Sequence, residues 1–300
     1  MRTAAMAPAL AGNAAGEVSR PQRRVNAPLQ FARQHTLGAI GGVIVLLFVL
    51  TGLLAPVLAS YDPNAVSIRD ALQPPSRAHP LGTDNNGRDL LSRIMYGARI
   101  SLTISVSAVA LGAVAGIALG LIAGWYRRLE GVTMRLMDVM LSFPGIIFAL
   151  TIIAILGNGL LNVILAIAVY QVPQFARLAH SMTLSVKESA YVEAIISVGA
   201  RDGRILGRYV LPNILSPLIV QTSLLIPAAI MTTASLAFLG LGVTPPTAEW
   251  GSMLQNSLSW ARMAPHVMIF PGLALMLVVF GFNVFGDGLR DALDPRLRER

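Results

Sequence analysis

The stretch from Val139 to Ala176, VMLSFPGIIFALTIIAILGNGLLNVILAIAVYQVPQFA, contains no Asp, Glu, Lys or Arg. A bilayer core of about 30 Å is crossed by roughly 20 helical residues, so this stretch is too long for one span. Gly157-Asn158-Gly159 in its middle is a turn signal and divides it into two candidate spans, 139–156 and 160–176. The division decides the fold, because every segment downstream changes side of the membrane if the stretch is crossed once instead of twice.

Working outward, further uncharged blocks lie at 37–61, 100–126, 209–248 and 263–286. They predict spans at about 37–59, 101–125, 214–239 and 267–285, making six in all. Charge tests the number. With six spans and the N-terminus inside, 17 of the 23 cations face the cytosol; with 139–176 as a single span, only 9 do. The positive-inside rule selects six. An all-α, polytopic membrane protein with both termini cytosolic is therefore expected.

Composition agrees: 54% of residues are hydrophobic, 13% are charged, and mean hydropathy is +0.64. Soluble domains carry about 25% charged residues. Lys187 is the only lysine and follows Val186, so no G-x-x-x-x-G-K-[ST] phosphate loop exists here. With no cysteine, thiolate metal sites and cysteine nucleophiles are excluded. No span carries a metal-ligand cluster or a nucleophile–base pair, so no catalytic or metal site is expected on this chain. Residues 1–36, with Arg20, Arg23 and Arg24 among Ala, Pro, Gly and Asn, read as a disordered cytosolic tail, and 296–300 as a short cytosolic tail.

Two polar segments stand out. Glu188 to Gly199 reads as a helix stopped by its C-terminal glycine, with Val192, Ile195 and Ile196 on one face and the small residues Ala190, Ala194 and Ser197 on another. Asp202 is expected to cap a second helix that climbs to Leu211-Pro212. A transverse helix with a small-residue face suits a groove on another protein, although spacing alone also fits a membrane-surface connector. In the second segment, Gly82-Thr83-Asp84 reads as a turn and cap. Arg88, Asp89, Ser92 and Arg93 read as a polar stripe on a surface helix, with a purely structural clamp as the alternative.

Within the spans, Gly112, Gly116, Gly120 and Gly124 recur every fourth residue and share one face, where a neighbouring helix can approach closely. Pro217 and Pro227 interrupt the fifth span beside Gln221, Thr222 and Ser223. These three could line a polar path, or the hydroxyls could bond back to their own helix.

The loop residues Glu193, Ala194, Gly199, Leu211 and Pro212 resemble the E-A-A-x-x-x-G-x9-I-x-L-P loop of ABC importer permeases, with Ile195 in place of its second Ala and Tyr209 in place of its Ile. The block His79 to Arg93, including Gly82, Thr83, Asp84, Gly87, Arg88, Asp89, Ser92 and Arg93, is similar to the dipeptide, oligopeptide and nickel permeases of that family. So are Ser235 to Thr247 with Trp250-Gly251, and the final span from Pro271-Gly272 to Asp291. The resemblance covers about 37–295, read as one permease domain.

What the resemblance implies is a coupling helix seated in a separate ATPase subunit. It further implies a second homologous permease chain, two ATP-binding subunits carrying ATP and Mg, and an extracytoplasmic substrate-binding protein, with no cofactor on this chain and no nucleic acid. The location implied is a bacterial or archaeal cytoplasmic membrane, and the cargo a peptide or related small solute. An ion-coupled secondary transporter is the alternative; it usually needs ionisable residues near the membrane midplane, and the six spans have no Asp, Glu, Lys or Arg.

Overall fold

A computed structural model describes residues 35–293. The expectation for the 1–36 tail falls almost wholly outside this range, and the one for 296–300 lies entirely outside it. The described residues are helical, with one isolated bridge between Thr83 and Asp89.

Helix α1 (Thr36–Leu58) is apolar around its whole circumference and largely exposed, as a helix facing lipid must be. Helix α2 (Leu90–Trp125) is 36 residues long. It begins well before the expected 101, because Asp89 caps it: Oδ2 accepts the Ser92 N–H at 2.8 Å. The uncharged block thus marks only the inner part of this helix.

The expected third span, 139–156, is not one straight helix. Helix α3 (Arg127–Leu141) and helix α4 (Gly145–Leu156) meet at 93° across Ser142-Phe143-Pro144. Pro144 lacks an N–H and biases Phe143 away from helical backbone, so the helix breaks there. Alone, the 12 residues of α4 reach about 18 Å, short of a bilayer core. Five helices are long and apolar enough to cross a membrane, or six if the bent pair is one span.

Helix α5 (Leu160–Lys187) runs beyond the expected 176 and out of the apolar zone. Helix α6 (Ala190–Ser197) and the four-residue α7 (Asp202–Ile205) lead into a π-helical segment, Leu206–Val210. Pro212, in the first turn of α8 (Leu211–Phe238), has no N–H to return to Arg208 and its ring crowds that carbonyl; the chain takes the wider turn just before it. Helix α9 (Trp250–Ser257) is short, and α10 (His266–Leu293) closes the bundle.

Packing centres on α2 against α5, with α4 and α8 on the flanks; Ile104, Ile153, Ile167, Phe175, Ile214 and Leu236 are all fully buried there. A second core, around Leu90, Ile230, Trp250 and Val278, lies at the end carrying the Gly82–Arg93 block. A third and smaller one, at the opposite end, joins Trp125 to Val192, Ile205 and Val210.

Candidate functional site

The small core under Trp125 roots the loop between α5 and α8. Lys187 Nζ donates to the Trp125 carbonyl at 2.8 Å and stands 5.2 Å from the centroid of its ring. Val192 and Ile205 point down into this cluster and are fully buried. Ile195 is half-buried beside them, whereas Ile196 is 44% exposed, so the expected face of Val192, Ile195 and Ile196 is corrected to the first two. A helix this short buries only the two residues that straddle its contact line.

The opposite face of α6 presents Ala190, Glu193, Ala194 and Ser197, all exposed. Gly199 ends the helix with φ +79°, its N–H bonding the Ile196 carbonyl at 2.9 Å while that of Ala200 reaches Ile195 at 3.3 Å. These are the paired bonds of a Schellman terminus, whose left-handed residue favours glycine. A Cβ at Gly199 would meet no atom within 4 Å, so backbone strain alone opposes a side chain there.

Asp202 is corrected from a cap to the first helical residue of α7, where no side-chain cap bond is made. The neighbouring Asp202 carboxylate instead holds the Tyr126 phenol above its usual pKa. Leu211 is half-buried and Pro212 exposed at the start of α8.

At the other end of the bundle the Gly82–Arg93 block folds on itself. Asp84 accepts from the N–H groups of Asn86 and Arg88 at 2.8 and 3.0 Å and from Arg88 Nε at 2.7 Å. Asp89 caps α2 and also meets His79 Nδ1 at 3.0 Å. Thr83 accepts from the Gln73 N–H at 2.9 Å and donates to the Asp70 carbonyl. Arg93, only 2% exposed, donates to the carbonyls of Pro63 and Pro246 at 2.7 and 3.4 Å, with Nε 3.5 Å from Asp84.

Gly82 and Gly87 both have positive φ, and a Cβ on Gly87 would stand 1.8 Å from the Ser67 carbonyl oxygen. The expected stripe along one surface helix is corrected: Arg88 and Asp89 precede α2, and Ser92 and Arg93 are buried in its first turn. Their polar groups are turned inward, onto neighbouring loops.

Sequence reasoning missed the partner of this block. Glu249, 1% exposed, accepts the N–H groups of Gly251 and Ser252 at 3.0 and 2.8 Å as the cap of α9, and Ser101 Oγ donates to it at 3.3 Å. Burial pushes its pKa up while the N–H bonds pull it down, and burial prevails. The adjacent Trp250 donates its indole N–H to the Ile94 carbonyl at 3.1 Å and lies over Gly97. A carboxylate directly before a short helix is a readable cap signal.

In the bundle, a Cβ on Gly112, Gly116 or Gly120 would fall 2.9, 2.5 or 2.4 Å from the carbonyl oxygens of Ala168, Val172 and Ala176 on α5, and one on Gly124 would fall 2.8 Å from Thr183 Cβ. All four glycines therefore face α5. Thr222 and Ser223 donate to their own helix, at Leu218 and Val220 (2.8 and 2.7 Å), so those hydroxyls are engaged. Gln221 alone of the three looks into a groove, with Ser216, Pro217, Val220 and Arg290. A second glutamine, Gln171, is 2% exposed, and its Oε1 has no partner. Among the described residues no group of acidic or histidine side chains could hold a metal.

The described residues thus form a helical bundle with a rooted, glycine-ended loop helix at one end and a folded polar block at the other. A family model described as "Binding-protein-dependent transport system inner membrane component" matches residues 116–299, and one described as "N-terminal TM domain of oligopeptide transport permease C" matches 31–75. The chain belongs to this family of inner-membrane permease subunits of ABC transporters.

Among its relatives is the glutathione transport system permease protein GsiD of Pectobacterium atrosepticum, 46% identical over 90% of both chains. The dipeptide transport system permease protein DppC of Alkalihalophilus pseudofirmus is 44% identical over 89% of this chain and 88% of its own. The di/tripeptide permease DppC of Pseudomonas aeruginosa is 45% identical, over 88% and 90% respectively. The fold is also similar to a chain of the MetNI methionine ABC transporter in an inward-facing conformation, with a TM-score of 0.56 at 19% identity, covering 67% of this chain and 96% of that one.

Proposed function

We propose that this permease forms half of the translocation pathway for short peptides or a related small solute, pairing with a second homologous permease chain. Two separate ATP-binding subunits supply ATP and Mg chemistry, and an extracytoplasmic binding protein delivers the cargo. The peptide assignment rests on the names of the relatives, which carry glutathione, dipeptides and di/tripeptides. The sign distribution of the cations supports placing the Lys187 end and both termini in the cytosol of a bacterial or archaeal cell. No span has an ionisable side chain near its middle, so nothing favours an ion-coupled mechanism.

The observation that carries the coupling role is α6 itself: its inner face is anchored to Trp125, and its outer face, with Glu193 and Ala194, is small and uncovered. A push on that face passes through Val192 and Lys187 to the ends of α2 and α5. The test is substrate-stimulated ATPase activity and uptake in reconstituted complexes. Gly199→Val strains the helix end and is expected to abolish coupling while the chain stays in the membrane. Gly199→Asn, which tolerates positive φ, is expected to retain most of it. Wild-type coupling in Gly199→Val would remove the docking role from this segment.

A further inference from the structure

Helix α3 carries an apolar stripe that nothing in the chain covers. Leu129, Val132, Leu136 and Val139 recur at spacings of three and four residues and share one face. Val132 is 73% exposed and Val139 58%. An adjacent face packs inward: Met137 is buried and Glu130 meets His180 at 3.2 Å. The third sector holds Arg127, Arg128, Gly131, Arg135 and the exposed Asp138, which pairs with Arg177. Among the described residues none of these three arginines has an ion-pair partner.

The two contacts to α5 fix how α3 lies. Glu130 and Asp138 are about 12 Å apart along α3, but His180 and Arg177 only about 4.5 Å apart along α5, so the helices cross steeply. The crossing is about 26 Å from the start of α5 at Leu160, close to the far edge of a bilayer core. Tyr126, an exposed residue of the kind that sits at headgroup level, immediately precedes α3, and α4 departs from it at 93°. Helix α3 therefore runs close to the plane of the membrane at the Lys187 end, and the return toward Leu160 falls to α4 and the turn after it, which together make the third crossing.

We infer that α3 is an interfacial helix whose stripe beds into the acyl boundary while Arg127, Arg128 and Arg135 engage the phosphates of anionic phospholipids. The charge pattern points to lipid as the occupant: Arg128 and Arg135 flank the stripe without an ion-pair partner, at the height where phosphate groups lie above an acyl boundary. Naming this leaflet cytosolic rests on the orientation proposed above; the lipid seat itself does not.

The chain has no cysteine, so single cysteines at Val132, Leu136 and Gly131 can carry an environment-sensitive fluorophore in the full-length chain of the assembled transporter, in lipid nanodiscs. Brominated phosphatidylglycerol and brominated phosphatidylcholine are the quenchers. Positions 132 and 136 are expected to be quenched severalfold more than 131, and more by phosphatidylglycerol than by phosphatidylcholine. The double variant Arg128→Gln/Arg135→Gln is expected to erase the difference between the lipids while leaving the quenching by phosphatidylcholine. No quenching at 132 and 136, as beneath a covering protein chain, overturns the inference, and so does equal quenching by the two lipids in the unmutated background. Neither readout depends on ATP hydrolysis, so failure of the docking role for α6 would leave this result standing.

Discussion

At Glu249 two requirements oppose each other: α9 needs an acceptor for the Gly251 and Ser252 N–H groups, and that acceptor sits where water does not reach. Because burial raises its pKa, the folded state holds this proton more tightly than the unfolded chain does. The stability so gained is complete below the ordinary glutamate pKa and is lost as pH rises through the raised folded value. Thermal unfolding of the purified chain is therefore expected to show a component that weakens upward from the normal carboxylate range, and Glu249→Gln is expected to flatten it. An unchanged pH profile in the variant would assign the slope to other groups. Sequence reading missed Glu249 because a lone carboxylate in a loop looks solvated, and one of its hydrogen-bond donors, Ser101, is far away in the chain. Gly199 was legible for the opposite reason, since its bond to Ile196 and that of Ala200 to Ile195 are local.

Among the helices, the four glycines of α2 show how far a period can be read. Their spacing announced a face for close approach, and that face meets α5 along its length. Gly116→Leu or Gly120→Leu would drive a side chain into backbone carbonyls and is expected to destabilise the chain by about 3 kcal/mol or to block assembly, read as a loss of folded protein in detergent. Gly131→Ala on α3 meets nothing within 4 Å and is expected to be neutral or to stabilise by up to about 1 kcal/mol. Equal effects at the two sites would sink the packing argument. The α3–α4 corner was less legible. Absence of charge begins at Val139, inside α3, so the uncharged block hid the break at Pro144. The amphipathic pattern of α3 lies mostly before that block. Likewise, charges at Arg93 and Arg99 concealed the true start of α2, which depends on the cap at Asp89.

Across the whole molecule, sidedness is the property that the sequence argued most directly, through the distribution of arginine. Single cysteines at the exposed positions Arg77 and Arg201 are expected to react with a membrane-impermeant thiol reagent from opposite sides of the membrane, Arg77→Cys in intact cells and Arg201→Cys only after lysis. Labelling of both from outside would overturn the six-crossing topology. Trp250 is unsuitable for this purpose, being fully buried in the structure. The π segment Leu206–Val210 adds a consequence of another kind. It holds one residue more than regular winding would, so α8 begins about 100° out of phase with the turn before it. Removing a single residue there would restore regular winding and rotate the face bearing Gln221 away from Arg290. In this chain the number of residues between Gly199 and Pro212 works as a phase setting: an insertion or deletion there does not lengthen or trim a loop but chooses which side of the helix looks inward.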